Sequence, residues 1–550
     1  MNSPRPFRHL RRAAIGIAAA PLALTLAPRP AIAQATGSAG TSRGPSADAA
    51  PSPALVVFIT VDQLTPVYFE RYGSQLDGGF ARLLRGGAVY LNAYQDHAIT
   101  ETAPGHAATL SGRFPRSTGI VMNSAGVQDP QSPVIGGGAP AASPFRFRGG
   151  SLIDWMRIAD PRTRALSVSR KDRGAILPLG RAKQNVFWYS SRGTFTTSRY
   201  YADTLPTWIR DFNARRLPQS MAGRRWELSR GASFYPEPDS VPVESGGHDF
   251  LFPHVLPDDS AAAASALPGF PWMDELTLSA ALAGLRALDL GHGPAPDLLA
   301  ISLSTTDAIG HQYGPDSREA HDQFLRLDRS LGAFLDTLFT LRDSTRVIIA
   351  LTADHGVTPF PEVSGPGRPA DARHVQLDSL VSAVRASVRA RGADTTSVRF
   401  DEGVLSLDRA ALARAGIARD SLARAFASAA RRVRGVLRAD DVRTYARADT
   451  VRDAVARRWL HTLTPDSQAA VAVTLRPYTV WGAPDSPIAM HGSPSDLDAR
   501  VPIIFYGTPF RPGRHAERAR VVDLAPTLAR VLRVAPTDRL DGRVLEAALR

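Results

Sequence analysis

The sequence predicts an α/β fold: a mostly parallel central sheet flanked by helices on both faces, with inserted cap segments. Two observations predict it. Five short runs, Leu55–Val61, Ala165–Val168, Asp297–Leu303, Val347–Thr352 and Val501–Tyr506, are rich in Val, Ile and Leu and lack polar alternation. Strands covered by helices on both faces have that pattern. Between them, Gly79–Arg85, Ser151–Ile158, Trp272–Leu288 and Ser317–Leu341 carry helical spacing, and strand–helix alternation implies right-handed parallel crossovers.

Taken in order, the chain begins with Arg5, Arg8, Arg11 and Arg12, an apolar run from Ala13 to about Ala27, and Ala31-Ile32-Ala33. A basic start, a short apolar stretch and a small-x-small triplet mark residues 1–33 as a secretory signal, cleaved after Ala33. Pro21 and Pro28 interrupt a run too short for a membrane anchor. Residues 34–53 hold few large apolar side chains and read as a flexible linker. Three stretches are assigned to the core, 54–190, 271–364 and 466–550. Two segments break the rhythm. Residues 191–270 are rich in aromatic residues, Arg, Pro and Gly, and 365–465 are Ala/Arg/Asp-rich with a helical pattern over Asp408–Val436. Both read as insertions, the second as a helical one.

The net charge is +13, but five Arg lie in residues 1–33, so the remainder carries +8. Those charges are scattered among acids, with no basic tail or stripe, which argues against a nucleic-acid partner. A generally positive field would still attract anionic substrates. No later run is long and apolar enough for stable membrane insertion. The chain has no Cys, which excludes thiol catalysis, Cys-ligated zinc and disulfides. Lys occurs only at Lys171 and Lys183, against 63 Arg. The sequence is silent on oligomeric state.

The chemistry follows the strands. Leu55–Val61 leads into Asp62, Asp297–Leu303 into Asp307-Ala-Ile-Gly-His311, and Val347–Thr352 into Asp354-His355-Gly356. Ligands of open α/β sheets gather at the carboxyl ends of strands. One Asp there is ordinary turn chemistry; three, two with a nearby His and with Gly310 and Gly356 to permit close backbone approach, point to a divalent-metal site. Pro104 and Gly105 make a turn before a helical pattern, so Thr102 falls just before a helix N-terminus, a position that favours a phosphoryl group. Thr102 reads locally as either a simple N-cap or a nucleophile.

These residues, Asp62, Thr102-Ala-Pro-Gly-His106, Asp307-x-x-x-His311, Asp354-His355-Gly356 and His491-Gly492, resemble in order and context the alkaline phosphatase superfamily. The branch they look most like holds the nucleotide pyrophosphatase/phosphodiesterases and bacterial phosphatases with a Thr nucleophile. The resemblance spans roughly residues 54–360 and 465–550. It implies two zinc ions per chain, one held by Asp307, His311 and His491, the other by Asp62, Asp354 and His355, with the Thr102 oxygen facing both as nucleophile. His491 rests on the resemblance alone. Asn123, 21 residues beyond Thr102, matches an Asn that contacts phosphate. Ser169-Arg170-Lys171-Asp172-Arg173 resembles the Lys-x-Arg pair of the monoesterases, which diesterases of the family lack. A monoester dianion offers more charge to two such cations than a diester does. No formylglycine signature surrounds Thr102, and the Ser/Asp-Arg arrangement of Ser-nucleophile phosphatases is absent. The implied activity is an exported, periplasmic or secreted, alkaline phosphatase acting on small phosphate monoesters. The alternatives are a phosphodiesterase or nucleotide pyrophosphatase on the same site, a phosphonate hydrolase, or a non-catalytic binding protein of the same fold.

Overall fold

The computed structural model describes residues 52–365, 367–483 and 488–550. The expected signal (1–33) and nearly all of the linker (34–53) lie outside the described residues. Each of the five anticipated strands is present: β1 (Leu55–Val61), with β2 (Ala88–Tyr94) after it, β3 (Ala165–Ser169), β4 (Asn185–Ser190), β5 (Thr194–Thr196), β6 (Asp297–Leu303) and β7 (Val347–Thr352). β8 (Val398–Asp401), β9 (Val404–Leu407), β10 (Val436–Asp441) and β11 (Ala469–Leu475) belong to a second sheet, and the chain returns to the first with β12 (Arg500–Tyr506), β13 (Gly513–His515) and β14 (Ala519–Arg520).

The main sheet has ten strands in the order β13-β2-β12-β7-β1-β6-β3-β4-β5, with β14 paired to β2. Its centre, β7-β1-β6-β3-β4, is entirely parallel. Every residue of β1, β3, β6 and β7 is buried, which is why their sequences do not alternate. β12 runs antiparallel to β7 and β2, so the sheet is mixed but mostly parallel. The anticipated helices form at Gly79–Gly86, Leu152–Ala159, Trp272–Ala287 and Arg318–Leu341. Ser151 and Ser317 sit just before the first turns as N-caps; the Ser317 hydroxyl accepts the Ala320 N–H at 3.0 Å.

The segment expected to be a helical insertion differs. It builds a four-stranded antiparallel sheet, β8-β9-β11-β10, packed with helices Asp378–Arg389 and Arg419–Ala430 around a hydrophobic cluster of its own. The helical pattern over Asp408–Val436 does hold two helices, Arg409–Arg414 and Arg419–Ala430. The strands are short, and β8, Val398-Arg399-Phe400-Asp401, buries one face only and mixes apolar and charged residues over four positions, too few to display a period. The fourth strand, β11, lies beyond residue 465. The aromatic segment near 190–270 joins the main core through Trp226, Tyr235 and Leu256. Its Trp226 indole N–H donates to Asp322 of the long helix at 2.7 Å. No helix among the described residues is long and apolar enough to cross a membrane.

Candidate active site

Because β7, β1, β6 and β3 are parallel, their carboxyl ends share one edge of the sheet. Asp62 follows β1, Lys171 follows β3, Asp307 follows β6 and Asp354 follows β7. β12 enters the sheet antiparallel with Ile503 opposite Thr352 of β7, so the loop that precedes it, carrying His491, arrives at the same edge. β2 ends there too and leads to Thr102. Topology thus assembles side chains that are hundreds of residues apart.

Asp62, Asp354 and His355 form one compact buried trio, as expected; His355 Nε2 lies 3.3 Å from Asp62 Oδ1 and 3.5 Å from Asp354 Oδ2. The second expected set is also brought together. His311 Nε2 stands 3.2 Å from Asp307 Oδ1, on the helix Thr305–Tyr313 that puts the two on one face. His491 Nε2 lies 3.2 Å from His311 Nε2 and 3.6 Å from Asp307 Oδ1. His355 sits between the sets, 4.0 Å from Asp307 Oδ1, and its ring stacks on His491 at 3.6 Å. Ligand atoms of Asp307, His355 and His491 also lie within 4.8 Å of one another, so His355 can serve either group.

The donor set fits divalent metals. His311 Nδ1 donates to the Ala489 carbonyl (2.7 Å), His491 Nδ1 to that of Thr100 (2.8 Å) and His355 Nδ1 to that of Gly356 (3.0 Å). A carbonyl only accepts, so in its neutral form each imidazole carries its proton outward and turns its Nε2 lone pair toward the site. Two such lone pairs, on His311 and His491, converge without a proton between them. Asp62 and Asp354 are fully buried, and nitrogens of Lys171, His355 and His106 face their carboxylates. Burial and Asp307 push the Asp62 carboxyl up, but Lys171 and His355 outweigh them and hold it well below its usual range. Burial pulls His355 down, while Asp354, Asp62 and Asp307 together lift it to about 9. Burial and then the neighbouring His355 lower His491 to about 3. Three carboxylates that raise an imidazole this far would favour any cation placed among them.

Thr102 is the first residue of a buried helix, Thr102–Thr109, with Glu101 in the cap position making no capping bond. The N-cap reading of Thr102 is thereby excluded. Its hydroxyl lies 3.2 Å from Lys171 Nζ. That ammonium, 9 % exposed, also lies 2.5 Å from Asp62 Oδ2 and 2.6 Å from Asp307 Oδ2. Lys171 is therefore part of the site rather than solvated surface. Asn123 accepts the Ala103 N–H on Oδ1 at 2.9 Å, which leaves its amide nitrogen free to donate. Arg173 stands further out, 3.6 Å from Asp172, with a buried Nε that has no partner. Gly105 packs so tightly that a Cβ there would lie 2.2 Å from the Asp354 carbonyl, and one on Gly356 would lie 2.3 Å from that of Leu497. These close approaches bring the Thr102 helix and the His491 loop against the Asp354-His355 turn.

Sequence reasoning missed several supporting residues. Gln63, at φ 65°, donates its backbone N–H to Asp354 Oδ1 and its side-chain amide to Asp307 Oδ1, each at 3.1 Å, and so ties the two groups together. His106 lies 2.9 Å from the Thr102 carbonyl and 3.2 Å from Asp354 Oδ2. Its spacing of four from Thr102 on a helix was the available signal. Arg170 reaches 3.9 Å from Asp307 Oδ2.

Comparison with known proteins agrees with this geometry. Alkaline phosphatase PhoV of Synechococcus elongatus is 29% identical over 526 residues, covering 90% of this chain and 93% of that protein. Alkaline phosphatase PhoK of Sphingomonas sp is 28% identical over 533 residues, covering 90% and 92%. The crystal structure of wild-type alkaline phosphatase PafA superposes with a TM-score of 0.83 at 24% identity, covering 92% of this chain and all of that one, and so shares the fold. The family model Type I phosphodiesterase / nucleotide pyrophosphatase matches residues 56–420. With its main sheet, its edge of Asp and His side chains and that match in hand, the chain belongs to the type I phosphodiesterase / nucleotide pyrophosphatase family, a family of phosphoester-hydrolysing enzymes.

Proposed function

We propose that the chain is an exported alkaline phosphatase that hydrolyses small phosphate monoesters through a phosphothreonine at Thr102, with two zinc ions as cofactors. One observation carries the reading: Lys171 Nζ stands within 3.2 Å of the Thr102 hydroxyl while touching a carboxylate from each metal-binding group. The alkaline phosphatase names of PhoV and PhoK support it. Asp62, Asp354 and His355 would hold one ion and Asp307, His311 and His491 the other. Bound there, two ions would lower the pKa of a hydroxyl or water and offset charge on the leaving oxygen.

The chain's own residues do the rest. The Thr102 oxygen attacks phosphorus as its hydroxyl proton is lost, the P–O bond to the alcohol breaks, the departing alkoxide takes up a proton and leaves as the alcohol, and the phosphoryl group transfers to Thr102. Water then cleaves the Thr102–phosphate bond, releasing inorganic phosphate and restoring the hydroxyl. The Asn123 amide donates to one terminal phosphoryl oxygen. Lys171, held by two carboxylates at the nucleophile, and Arg173 meet oxygens that carry more charge in a monoester than in a diester. The second reading, a phosphodiesterase or nucleotide pyrophosphatase, is favoured by the description of the matching family model and opposed by Lys171. Comparing kcat/KM for an aryl phosphate and its methyl diester separates them: the monoester should be preferred, and a diester preference would reverse the assignment.

A further inference from the structure

Asp498 is fully buried in the short helix Asp496–Ala499, which runs straight into β12. A buried carboxylate is costly unless hydrogen-bond donors surround it, so the origin of its donors is telling. Oδ1 accepts the Thr358 hydroxyl at 2.7 Å, three residues after His355. Oδ2 accepts the Ser493 N–H at 3.0 Å and the Ser493 hydroxyl at 2.7 Å, two residues after His491. The Asp498 carbonyl also accepts the Gly356 N–H, next to His355, at 2.6 Å. One residue therefore holds a loop from each metal-binding group. The loop 489–493 is bound along its whole length. The Ala489 carbonyl accepts from His311, and Met490 exchanges two backbone hydrogen bonds with Thr358 at 2.7 and 3.0 Å. The Thr100 carbonyl accepts from His491, while the Thr100 hydroxyl accepts the Gly492 N–H at 3.2 Å and donates to the Ser493 carbonyl at 2.9 Å. Asp498 fastens this strap to the His355 turn, where the His355 and His491 rings stack at 3.6 Å.

We propose, on the reading that those groups hold two ions, that Asp498 is a positioning residue: its two oxygens bridge Thr358 and Ser493, set the separation of His355 from His491, and so preform both ion sites. A ligand set already in place spares the ion the cost of ordering two loops. Groups that orient ligating side chains without touching the ion typically account for about 10- to 100-fold in metal affinity. Asp498 acts only through the loops, from a rigid seat: Ser495 caps its helix by accepting the Leu497 N–H, and β12 follows at Arg500.

The test is zinc titration of the full, metal-stripped chain by calorimetry, with Tm measured with and without a fixed zinc concentration. Asp498→Asn keeps an oxygen for the Thr358 hydroxyl but turns its amide nitrogen toward the Ser493 N–H, so zinc affinity should fall roughly 10- to 100-fold. Thr358→Val cuts the other end of the bridge and should lose a similar amount, whereas Thr358→Ser keeps the hydroxyl and should restore wild-type affinity. Breaking either end breaks the bridge, so the double variant Asp498→Asn/Thr358→Val should lose no more than either alone. The rise in Tm on adding zinc should shrink in each weakened variant, even where the metal-free Tm also falls. A carboxylate that only supports the fold would lower Tm equally with and without zinc and leave zinc affinity unchanged. That result, or losses that multiply in the double variant, would overturn the proposal while the two-ion reading stands. A wild-type chain that takes up no zinc would overturn the two-ion reading and the role of Asp498 with it.

Discussion

Lys171→Ala is the substitution on which the monoesterase reading depends most. Its ammonium is buried among Asp62, Asp307 and Thr102 at 2.5, 2.6 and 3.2 Å, so it lies within direct reach of a phosphoryl group on Thr102. A unit charge about 3 Å away is worth about 5 kcal/mol gross at an effective dielectric of about 20. Desolvation reduces that to the 2–4 kcal/mol, roughly 30- to 1000-fold, typical of losing one preorganised contact. A diester carries one negative charge where a monoester carries two, so its loss should be about half in free energy, roughly 5- to 30-fold. Steady-state kinetics on an aryl phosphate and its methyl diester read both numbers, with metal analysis and Tm to show that the site remains loaded and folded. Lys171→Arg keeps the charge, yet its wide planar fork does not fit a cleft sized for an ammonium between two carboxylates, so it too should be impaired. Equal losses for the two esters would refute the reasoning and make Lys171 a brace for Asp62 and Asp307.

Other outcomes follow from the same geometry. Thr102→Ala should fold and bind metal while losing several orders of magnitude in turnover, whereas Thr102→Ser should retain much of it; mass spectrometry of trapped enzyme should find phosphate on Thr102, and phosphate on Thr100 or Ser111 would show the wrong nucleophile had been chosen. Exhaustive chelation should abolish activity and zinc should restore it, with about two zinc per chain in the active protein; full activity in verified metal-free protein would remove the mechanism. Gly105→Ala places a Cβ 2.2 Å from the Asp354 carbonyl and should cost about 1–3 kcal/mol of stability with reduced metal content; a wild-type Tm and metal load would show the helix free to shift. Glu244 is buried with an unpartnered Oε2, and burial, Glu319 and Asp239 push it up to about 9. The unfolded chain releases that proton near its ordinary value while the folded chain retains it, so stability falls as pH rises between the two. Glu244→Gln should therefore gain in Tm over wild type from pH 5 to pH 8, and a pH-independent difference would refute the shift.

Much of the frame was legible because its strands are buried on both faces. β1, β6 and β7 needed no partner to be recognised, since an unbroken run of Val, Ile and Leu bounded by polar residues has few other solutions. β2 and β4 were not recognised: Ala-Val-Tyr-Leu-Asn-Ala-Tyr mixes polar and apolar residues because Leu91, Asn92 and Tyr94 are only half buried, and Asn-Val-Phe-Trp-Tyr-Ser, though buried beyond Asn185, is aromatic and bounded by polar residues rather than a run of Val, Ile and Leu. The second sheet was read as helical because its first three strands span only four to six residues and β8 and β10 carry Arg and Asp, too short and mixed to display a period of two.

The candidate site divides along the same line. The sequence by itself determined which residues could carry the chemistry, because Asp62, Asp307 and Asp354 lie within four residues of strand ends, and strand ends are local features. It also singled out Lys171 by rarity and the Thr102 turn by its Pro-Gly punctuation. Only the tertiary structure decided that His491 joins His311 and His355, that Lys171 bridges two carboxylates beside Thr102, and that a hairpin from the second sheet meets Ser124 beside Asn123. Those contacts span from 69 to 277 residues of chain. They exist because a parallel sheet delivers the carboxyl ends of distant strands to one edge, a property of strand order that no local pattern records.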